Sequence, residues 1–202
     1  MVNKQLIADS KQQKIIGLTG GIATGKTTVS NYLAQHYDLP VLDADVYAKE
    51  ALSPDSSILK EIFARYGDRV QLADGNLNRS ALGDIIFADS AEKLWLESKI
   101  HPLVRDRFTL KLKQLNNKTV ILAIPLLFEA NLTHLVTEIW VVSCDRNTQL
   151  SRLQQRNNLT LQQAQNRINS QLPLAEKVAQ ADIVIDNNST LKALYQQCDL
   201  KI

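Results

Sequence analysis

Apolar residues fall in five short runs that are separated by longer amphipathic stretches. The runs are Ile15–Thr19, Pro40–Ala44, Thr119–Leu127, Glu138–Cys144 and Asp182–Asp186. Most of them are nearly continuous in valine, isoleucine and leucine, which is typical of strands buried on both faces of a sheet. Because helical segments lie between the runs, the order is a βαβ series. The pattern therefore predicts an α/β fold with a doubly wound, five-stranded parallel sheet.

Two segments are longer than a simple crossover requires. Residues 54–116 contain several amphipathic helical stretches, with Ser53-Pro54-Asp55 as a helix start and Ile100-His101-Pro102 as a break before another long helix. Ligands of open α/β sheets bind beyond the carboxyl ends of the strands, so we predict a helical acceptor-binding insert there. Residues 146–171 are polar and rich in Arg, Asn and Gln, which predicts a helical lid rather than core. The whole chain, 1–202, is expected to form one domain, with residues 1–13 as a flexible extension.

The strongest motif is the stretch Gly20–Thr27, which reads Gly-x-x-x-x-Gly-Lys-Thr and follows the first apolar run. Glycines allow successive backbone N–H groups to converge on phosphate oxygens, and the start of the next helix adds its positive dipole end. Lys26 is expected to reach the terminal phosphates, and the Thr27 hydroxyl to ligate Mg²⁺. An ordinary glycine-rich turn is the alternative. The strand before the motif and the helical spacing after it favour a loop that binds a nucleoside triphosphate.

Two carboxylates, Asp43 and Asp45, stand at the end of the second apolar run. Alternate strand positions point to opposite faces, so we expect only one of them at the reaction centre. Asp45 is the candidate for accepting a hydroxyl proton from the acceptor. The alternative is that Asp45 caps the helix that follows, a role that is compatible with catalysis.

Two arginines of the predicted lid, Arg152 and Arg156, stand four residues apart and therefore on one helix face. Guanidinium groups that close over the phosphates would neutralise charge during phosphoryl transfer. The alternative is a solvated helix face.

Three further residues are candidates for binding the acceptor. Glu129 follows the third apolar run, where strand ends favour function, although a surface carboxylate is the alternative. His101 lies in the predicted insert and is either a site residue or a structural histidine. Arg79 is suited to an acceptor phosphate, or else is a solvated helix charge.

Composition limits the kinds of binding partner and the cellular compartment that we expect. A net charge of +2 is too small to favour nucleic acid, and no apolar stretch is long enough to cross a membrane. The two cysteines, Cys144 and Cys198, form no metal or disulfide pattern, which favours a reducing cytoplasm. We expect a monomer or a weak homo-oligomer that binds small molecules.

The guanine-reading pattern of regulatory GTPases is missing from the sequence. The segment Asn117-Lys118-Thr119-Val120 lacks the aspartate with which that pattern ends.

These segments together, in this order, resemble the dephospho-coenzyme A kinase family. The matching segments are Leu18–Ile22, Gly25–Thr28, Asp43–Asp45, Arg79 to Leu82, His101-Pro102, Pro125–Glu129, Thr148–Arg152, Arg156 and Ala181–Asn187. The resemblance implies ATP- and Mg²⁺-dependent phosphorylation of the ribose 3′-hydroxyl of dephospho-coenzyme A. It places the catalytic base at Asp45, and it places ATP at Gly21 and at the loop of Ala23, Thr24, Gly25, Lys26, Thr27 and Thr28.

The chain departs from the family pattern at two positions. Ala23 stands where the family loop usually has a glycine, and because alanine reaches positive φ only at a cost, we expect either a negative φ there or a weaker affinity for ATP. Asn157 replaces an aspartate after Arg156.

Two rival functions stay open at this point: a kinase for another small acceptor, such as a nucleoside, a nucleotide or a shikimate-like alcohol, and a regulatory protein that hydrolyses ATP without an acceptor.

Overall fold

The computed structural model describes residues 13–202, so nearly all of the predicted extension at 1–13 lies outside the described residues. The chain divides into two compact units. One consists of the segments up to Asp43 and from Leu115 to Ile202, and the other of Ala44–Gln114. The insert predicted at 54–116 falls largely within the second unit, which begins earlier, at Ala44.

The first unit contains a sheet of five strands, all parallel, which confirms the predicted fold class. The strands are β1 (Lys14–Gly20), β2 (Val41–Asp43), β3 (Thr119–Ala123), β4 (Glu138–Ser143) and β5 (Ile183–Asp186), in the order β2-β3-β1-β4-β5. The third strand is shorter than the predicted Thr119–Leu127. Pro125 has no N–H to give to a strand ladder, and the chain turns there instead.

Helices occupy most of the remaining chain. In chain order they are α1 (Lys26–Tyr37), α2 (Ala44–Glu50), α3 (Ser57–Tyr66), α4 (Arg79–Ala88), α5 (Ser90–Gln114), α6 (Arg146–Asn157), α7 (Leu161–Asn169), α8 (Leu174–Ala179) and α9 (Leu191–Asp199). Helices α2 to α5 make up the second unit. The others belong to the first unit.

The core of the first unit lies on the central strand β1. Ile16 and Leu18 of this strand are fully buried, together with Trp140 of β4, Leu33 of α1 and Leu194 of α9. Burying each such side chain contributes roughly 1.5–3 kcal/mol. Strand β1 is therefore a rigid support, and the loop at Gly20–Gly25 extends directly from its carboxyl end.

The second unit corrects two predictions about its helices. The helix predicted to start at Ser53-Pro54-Asp55 starts at Ser57, because the hydroxyl of Ser56 accepts from the N–H of Ile58 and caps it. The break predicted at Ile100-His101-Pro102 is absent, since α5 continues through Pro102. A proline inside a helix costs about 3 kcal/mol or more. Burial of residues on both sides of Pro102, such as Leu96 and Val104, offsets that cost.

The segment predicted as a lid, 146–171, forms α6 and α7. Leu153 of α6 and Ala164 of α7 are completely buried, so the expectation that this segment lies apart from the core is wrong for those positions. Asp145 directly precedes α6, and its carboxylate caps the helix by accepting from the N–H of Thr148 at 2.8 Å. This cap holds the pKa of Asp145 below its usual value.

Candidate active site

The phosphate-binding loop joins β1 to α1, as the motif predicts. Gly25 precedes the helix with a φ of 106°, and no side chain caps the start of α1. The N–H groups of Lys26, Thr27 and Thr28 therefore have no partner within the helix. Thr24 is buried, and its hydroxyl donates to the Gly21 carbonyl at 2.9 Å, so this side chain serves the shape of the loop. The uncapped helix start is suited to binding an anion.

Ala23 adopts the left-handed conformation, with a φ of 63°. The expectation of a negative φ is wrong. The left-handed region costs an alanine roughly 1–2 kcal/mol, and such a residue persists where its surroundings fix it. Both polar backbone groups of the preceding residue, Ile22, are held by side chains: its N–H donates to Gln171 Oε1 at 2.8 Å, and its carbonyl accepts from Gln149 Nε2 at 2.7 Å.

Lys26 lies beside a carboxylate at the end of β2. Its Nζ is 3.8 Å from Oδ2 of Asp43, and the lysine side chain is only 11% exposed. Strand β2 ends at Asp43, so the alternation used to place Asp43 and Asp45 on opposite faces does not apply. The first unit thus brings together Lys26, Asp43 and the exposed Thr27 at the start of α1.

Asp45 belongs to the second unit, where it lies exposed in the first turn of α2. The helix already begins at Ala44, so the interpretation of Asp45 as the residue that caps it is wrong. A carboxylate in the first turn still interacts favourably with the helix dipole.

The two arginines of α6 differ in their surroundings. Arg152 Nη2 donates to the backbone carbonyl of Asn187 at 3.0 Å, and Arg152 Nη1 is buried with no hydrogen-bond partner among the described residues. Arg156 is exposed, and its Nε donates to the side chain of the adjacent Asn157 at 2.9 Å. Only Arg152 is fixed against the part of the chain that contacts the phosphate loop, because Asn187 Nδ2 donates to the Thr24 carbonyl at 2.7 Å.

Glu129 is engaged by groups of its own unit. Its Oε1 lies 2.8 Å from Nζ of Lys177, whose side chain is completely buried, and accepts from the N–H of Leu172 at 3.0 Å. Lys177 also donates to the Pro125 carbonyl at 3.2 Å. Glu129 thereby neutralises a buried ammonium group, a role that the sequence did not indicate.

The remaining acceptor candidates lie on separate helices of the second unit. Arg79 is exposed at the first residue of α4. His101 is half-buried in the middle of α5.

Three amide side chains hold the loop although the sequence pattern did not indicate them, namely Gln149, Gln171 and Asn187. Gln149 is 3% exposed and Asn187 is 6% exposed. One signal was available for Gln149, since it stands four residues before the apolar Leu153 and so shares the buried face of α6. The glycines gave no comparable signal, although a side chain at Gly21 would place its Cβ 2.5 Å from Gln149 Nε2.

Two kinds of feature are absent from the described residues. Within residues 13–202 there is no group of three or more His, Cys, Asp or Glu side chains that could hold a metal ion. None of the helices in that range is long and apolar enough to cross a membrane.

Known proteins resemble this chain both in sequence and in fold. The family model for dephospho-CoA kinase matches residues 14–193. A dephospho-CoA kinase of Trichormus variabilis is 57% identical over 190 residues, which cover 94% of this chain and 97% of that protein. A crystal structure from Thermus thermophilus has a TM-score of 0.80 at 31% identity and covers 94% of this chain and 96% of its own. A dephospho-CoA kinase from Campylobacter jejuni has a TM-score of 0.67 at 28% identity, covering 92% and 94%. With its uncapped phosphate loop and this agreement along nearly its whole length, the chain belongs to the dephospho-CoA kinase family.

Proposed function

We propose that the chain transfers the γ-phosphate of ATP to the ribose 3′-hydroxyl of dephospho-coenzyme A, which gives coenzyme A and ADP. The observation that carries the proposal is the loop between β1 and α1, whose helix start is uncapped and whose lysine is nearly buried. Such a loop serves phosphates in general. The acceptor is taken from the family, because the matching relatives carry its name.

Lys26 and Thr27 are proposed to hold the triphosphate end of ATP. Lys26 supplies a positive charge to the β- and γ-phosphates. Mg²⁺ prefers oxygen ligands and usually keeps several waters, so a site with few protein ligands is sufficient. The exposed Thr27 hydroxyl and the Asp43 carboxylate beside Lys26 fit that preference. When bound, Mg²⁺ would neutralise phosphate charge.

Asp45 is proposed as the base that accepts the proton of the 3′-hydroxyl. It is an exposed carboxylate, and it stands two residues after Asp43 in the chain. Arg152 and Arg156 are proposed to contact the phosphates from α6, which acts as the lid. Arg79, His101 and Glu129 are proposed to contact the acceptor. Catalysis then rests on positioning and on neutralising charge, without a covalent intermediate.

The experiment that tests the proposal is a coupled assay of ADP release with a panel of acceptors. Dephospho-coenzyme A is expected to give turnover, whereas nucleoside monophosphates and shikimate are expected to give none. Phosphorylation of one of those alternatives, without activity on dephospho-coenzyme A, would refute the proposal in favour of another small-acceptor kinase. ATP hydrolysis that no acceptor changes would favour a regulatory protein. The same preparation, analysed by sedimentation, tests the expected monomer or weak homo-oligomer.

A further inference from the structure

The carbonyl groups of the phosphate loop are held by side chains that are distant in sequence. Gln149 Nε2 donates to the carbonyl of Ile22 at 2.7 Å, and Asn187 Nδ2 donates to the carbonyl of Thr24 at 2.7 Å. Both amide side chains are more than nine-tenths buried. Both approach the loop so closely that a Cβ at Gly21 would meet Gln149 and one at Gly25 would meet Asn187. The loop glycines therefore make room for these amides as well as for phosphate.

A held carbonyl fixes the direction of the next N–H group. In a planar trans peptide the C=O and the following N–H point in opposite directions, and the described peptides contain no cis bond. The bond from Gln149 thus turns the N–H of Ala23 away from Gln149. The bond from Asn187 likewise turns the N–H of Gly25 away from Asn187. Neither of these N–H groups has a hydrogen-bond partner among the described residues, so both are available to a phosphate oxygen.

The hydrogen bond from Gln149 also explains how alanine occupies a position that favours glycine. Ala23 has a φ of 63°, and rotation of the Ile22–Ala23 peptide out of this conformation would break the bond to Gln149. The Ile22 carbonyl is part-buried, and the penalty for losing its partner is comparable to the strain of a left-handed alanine. The strain favours a change of conformation at Ala23, whereas the cost of breaking the hydrogen bond opposes that change. The hydrogen bond from Gln149 therefore stabilises the left-handed conformation of Ala23.

We propose that Gln149 is a positioning residue for ATP: it holds Ala23 in the left-handed conformation and directs the Ala23 N–H toward the phosphates. Asn187 does the same for Gly25. The inference rests on the proposed function, because it assumes that this loop binds the ATP phosphates. It adds a specific dependence of Ala23 on α6, the helix that also carries Arg152.

The experiment measures ATP binding to the full chain by calorimetric titration. The variant Gln149→Ala is expected to raise the Kd for ATP roughly 10-fold, because one hydrogen bond is lost and one carbonyl is left unpaired. The variant Gln149→Glu keeps the volume but lacks the donor, and it is expected to raise the Kd at least as much. Gln155→Ala on the same helix is the matched control, since Gln155 is exposed and, among residues 13–202, donates only to Ser151. It is expected to bind ATP like the wild type.

A second pair of variants separates positioning from a general loss of structure. Glycine reaches the left-handed region without strain, so Ala23→Gly removes the reason for holding the conformer. In the Ala23→Gly background, Gln149→Ala is expected to raise the Kd only about 2- to 3-fold, which is a non-additive effect. A protein that is merely destabilised would lose the same factor in both backgrounds. The KM for the acceptor is expected to change less than about 2-fold in the single variants.

The outcomes distinguish this inference from the proposed function. If the wild-type chain does not bind ATP, the proposed function fails. If the wild type binds ATP and both Gln149 variants bind it with an unchanged Kd, the positioning role of Gln149 is refuted. Equal losses in the alanine and glycine backgrounds would refute the link between Gln149 and Ala23. Should Gln149→Ala not fold, Gln149→Met, which keeps an unbranched side chain of similar length but is neutral and lacks the donor, gives the same comparisons.

Discussion

The guanidinium group of Arg152 is tied by one nitrogen to the backbone carbonyl of Asn187, at 3.0 Å, while its other terminal nitrogen is buried without a partner. Buried polar groups in folded proteins are nearly always hydrogen-bonded, so an exception calls for an explanation. An anion that binds with ATP would supply the missing acceptor. The arrangement thereby distinguishes Arg152 from Arg156, which is exposed.

Replacement of these two arginines is expected to have unequal effects on kcat. Arg152→Ala is expected to lower kcat about 10³-fold, because in the proposed site this fixed arginine would stabilise charge on the phosphates in the transition state. Arg156→Ala is expected to lower kcat less than about 10-fold, because its exposed guanidinium is held by the adjacent Asn157 and is not positioned in advance against the phosphate loop. Steady-state kinetics with ATP and dephospho-coenzyme A measures both variants. Equal losses for the two would contradict the distinction.

Replacement of the proposed base is expected to affect turnover without affecting ATP binding. Asp45→Asn removes the proton acceptor and is expected to lower kcat about 10²- to 10⁴-fold. Titration with ATP is expected to give an unchanged Kd, because Asp45 is assigned to the acceptor. Glu50→Gln at the end of the same helix is the control, and it is expected to keep wild-type kcat. Near-normal turnover by Asp45→Asn would remove Asp45 from its role.

The sheet and the phosphate loop could be predicted from sequence because both depend on local patterns. Runs of apolar residues mark buried strands, and the glycines, Lys26 and Thr27 follow one another along the chain. The conformation of Ala23 could not be predicted in this way. It depends on a hydrogen bond from Gln149 to the carbonyl of Ile22, two residues that are 127 positions apart in sequence. The local cost of a left-handed alanine favoured a negative φ at Ala23. The hydrogen bond from the distant Gln149 side chain reverses that preference.

Helix α5 is a second case in which local sequence did not predict the structure. Proline is a local breaker, and Pro102 predicted a break. Leu96, Val104 and Phe108 are buried on the two sides of it, and their burial outweighs the lost hydrogen bond. Glu129 is a third example. Its position after a strand indicated function, but nothing nearby in sequence pointed to its buried partner, Lys177.

Replacement of Glu129 tests whether it stabilises the fold or binds the acceptor. Glu129→Gln leaves the buried ammonium of Lys177 without its counter-charge. We expect a loss of roughly 1–3 kcal/mol in the free energy of unfolding, less than the 3–5 kcal/mol of a fully buried pair, because the Glu129 side chain is 24% exposed. Urea unfolding measures this loss. An acceptor-binding role predicts in addition a higher KM for dephospho-coenzyme A. An unchanged KM together with lower stability would assign Glu129 to structure alone.

The pH dependence of stability is expected to report on Glu92, a carboxylate of the second unit. Arg65 donates to both of its oxygens, at 2.7 and 2.9 Å, and the Tyr66 hydroxyl donates as well. These bonds, with Arg65 as the larger cause, hold the pKa of Glu92 at about 2, below its ordinary value of 4.5. Since the pKa is lower in the folded state than in the unfolded state, folding is favoured more when the carboxyl group is ionised.

The sign of this effect fixes the pH range of the experiment. The stabilisation is fully present above the unfolded pKa of about 4.5 and is lost as the pH falls from there towards about 2. Glu92→Gln cannot ionise, so the Tm of the wild type is expected to exceed that of the variant by a constant amount above about pH 5.5. The difference is expected to shrink between pH 4.5 and pH 2. Thermal unfolding of both proteins across this range measures it, with Glu50→Gln as an exposed control of the same unit. A Tm difference that does not change with pH would show that Glu92 acts through its shape and not through its charge.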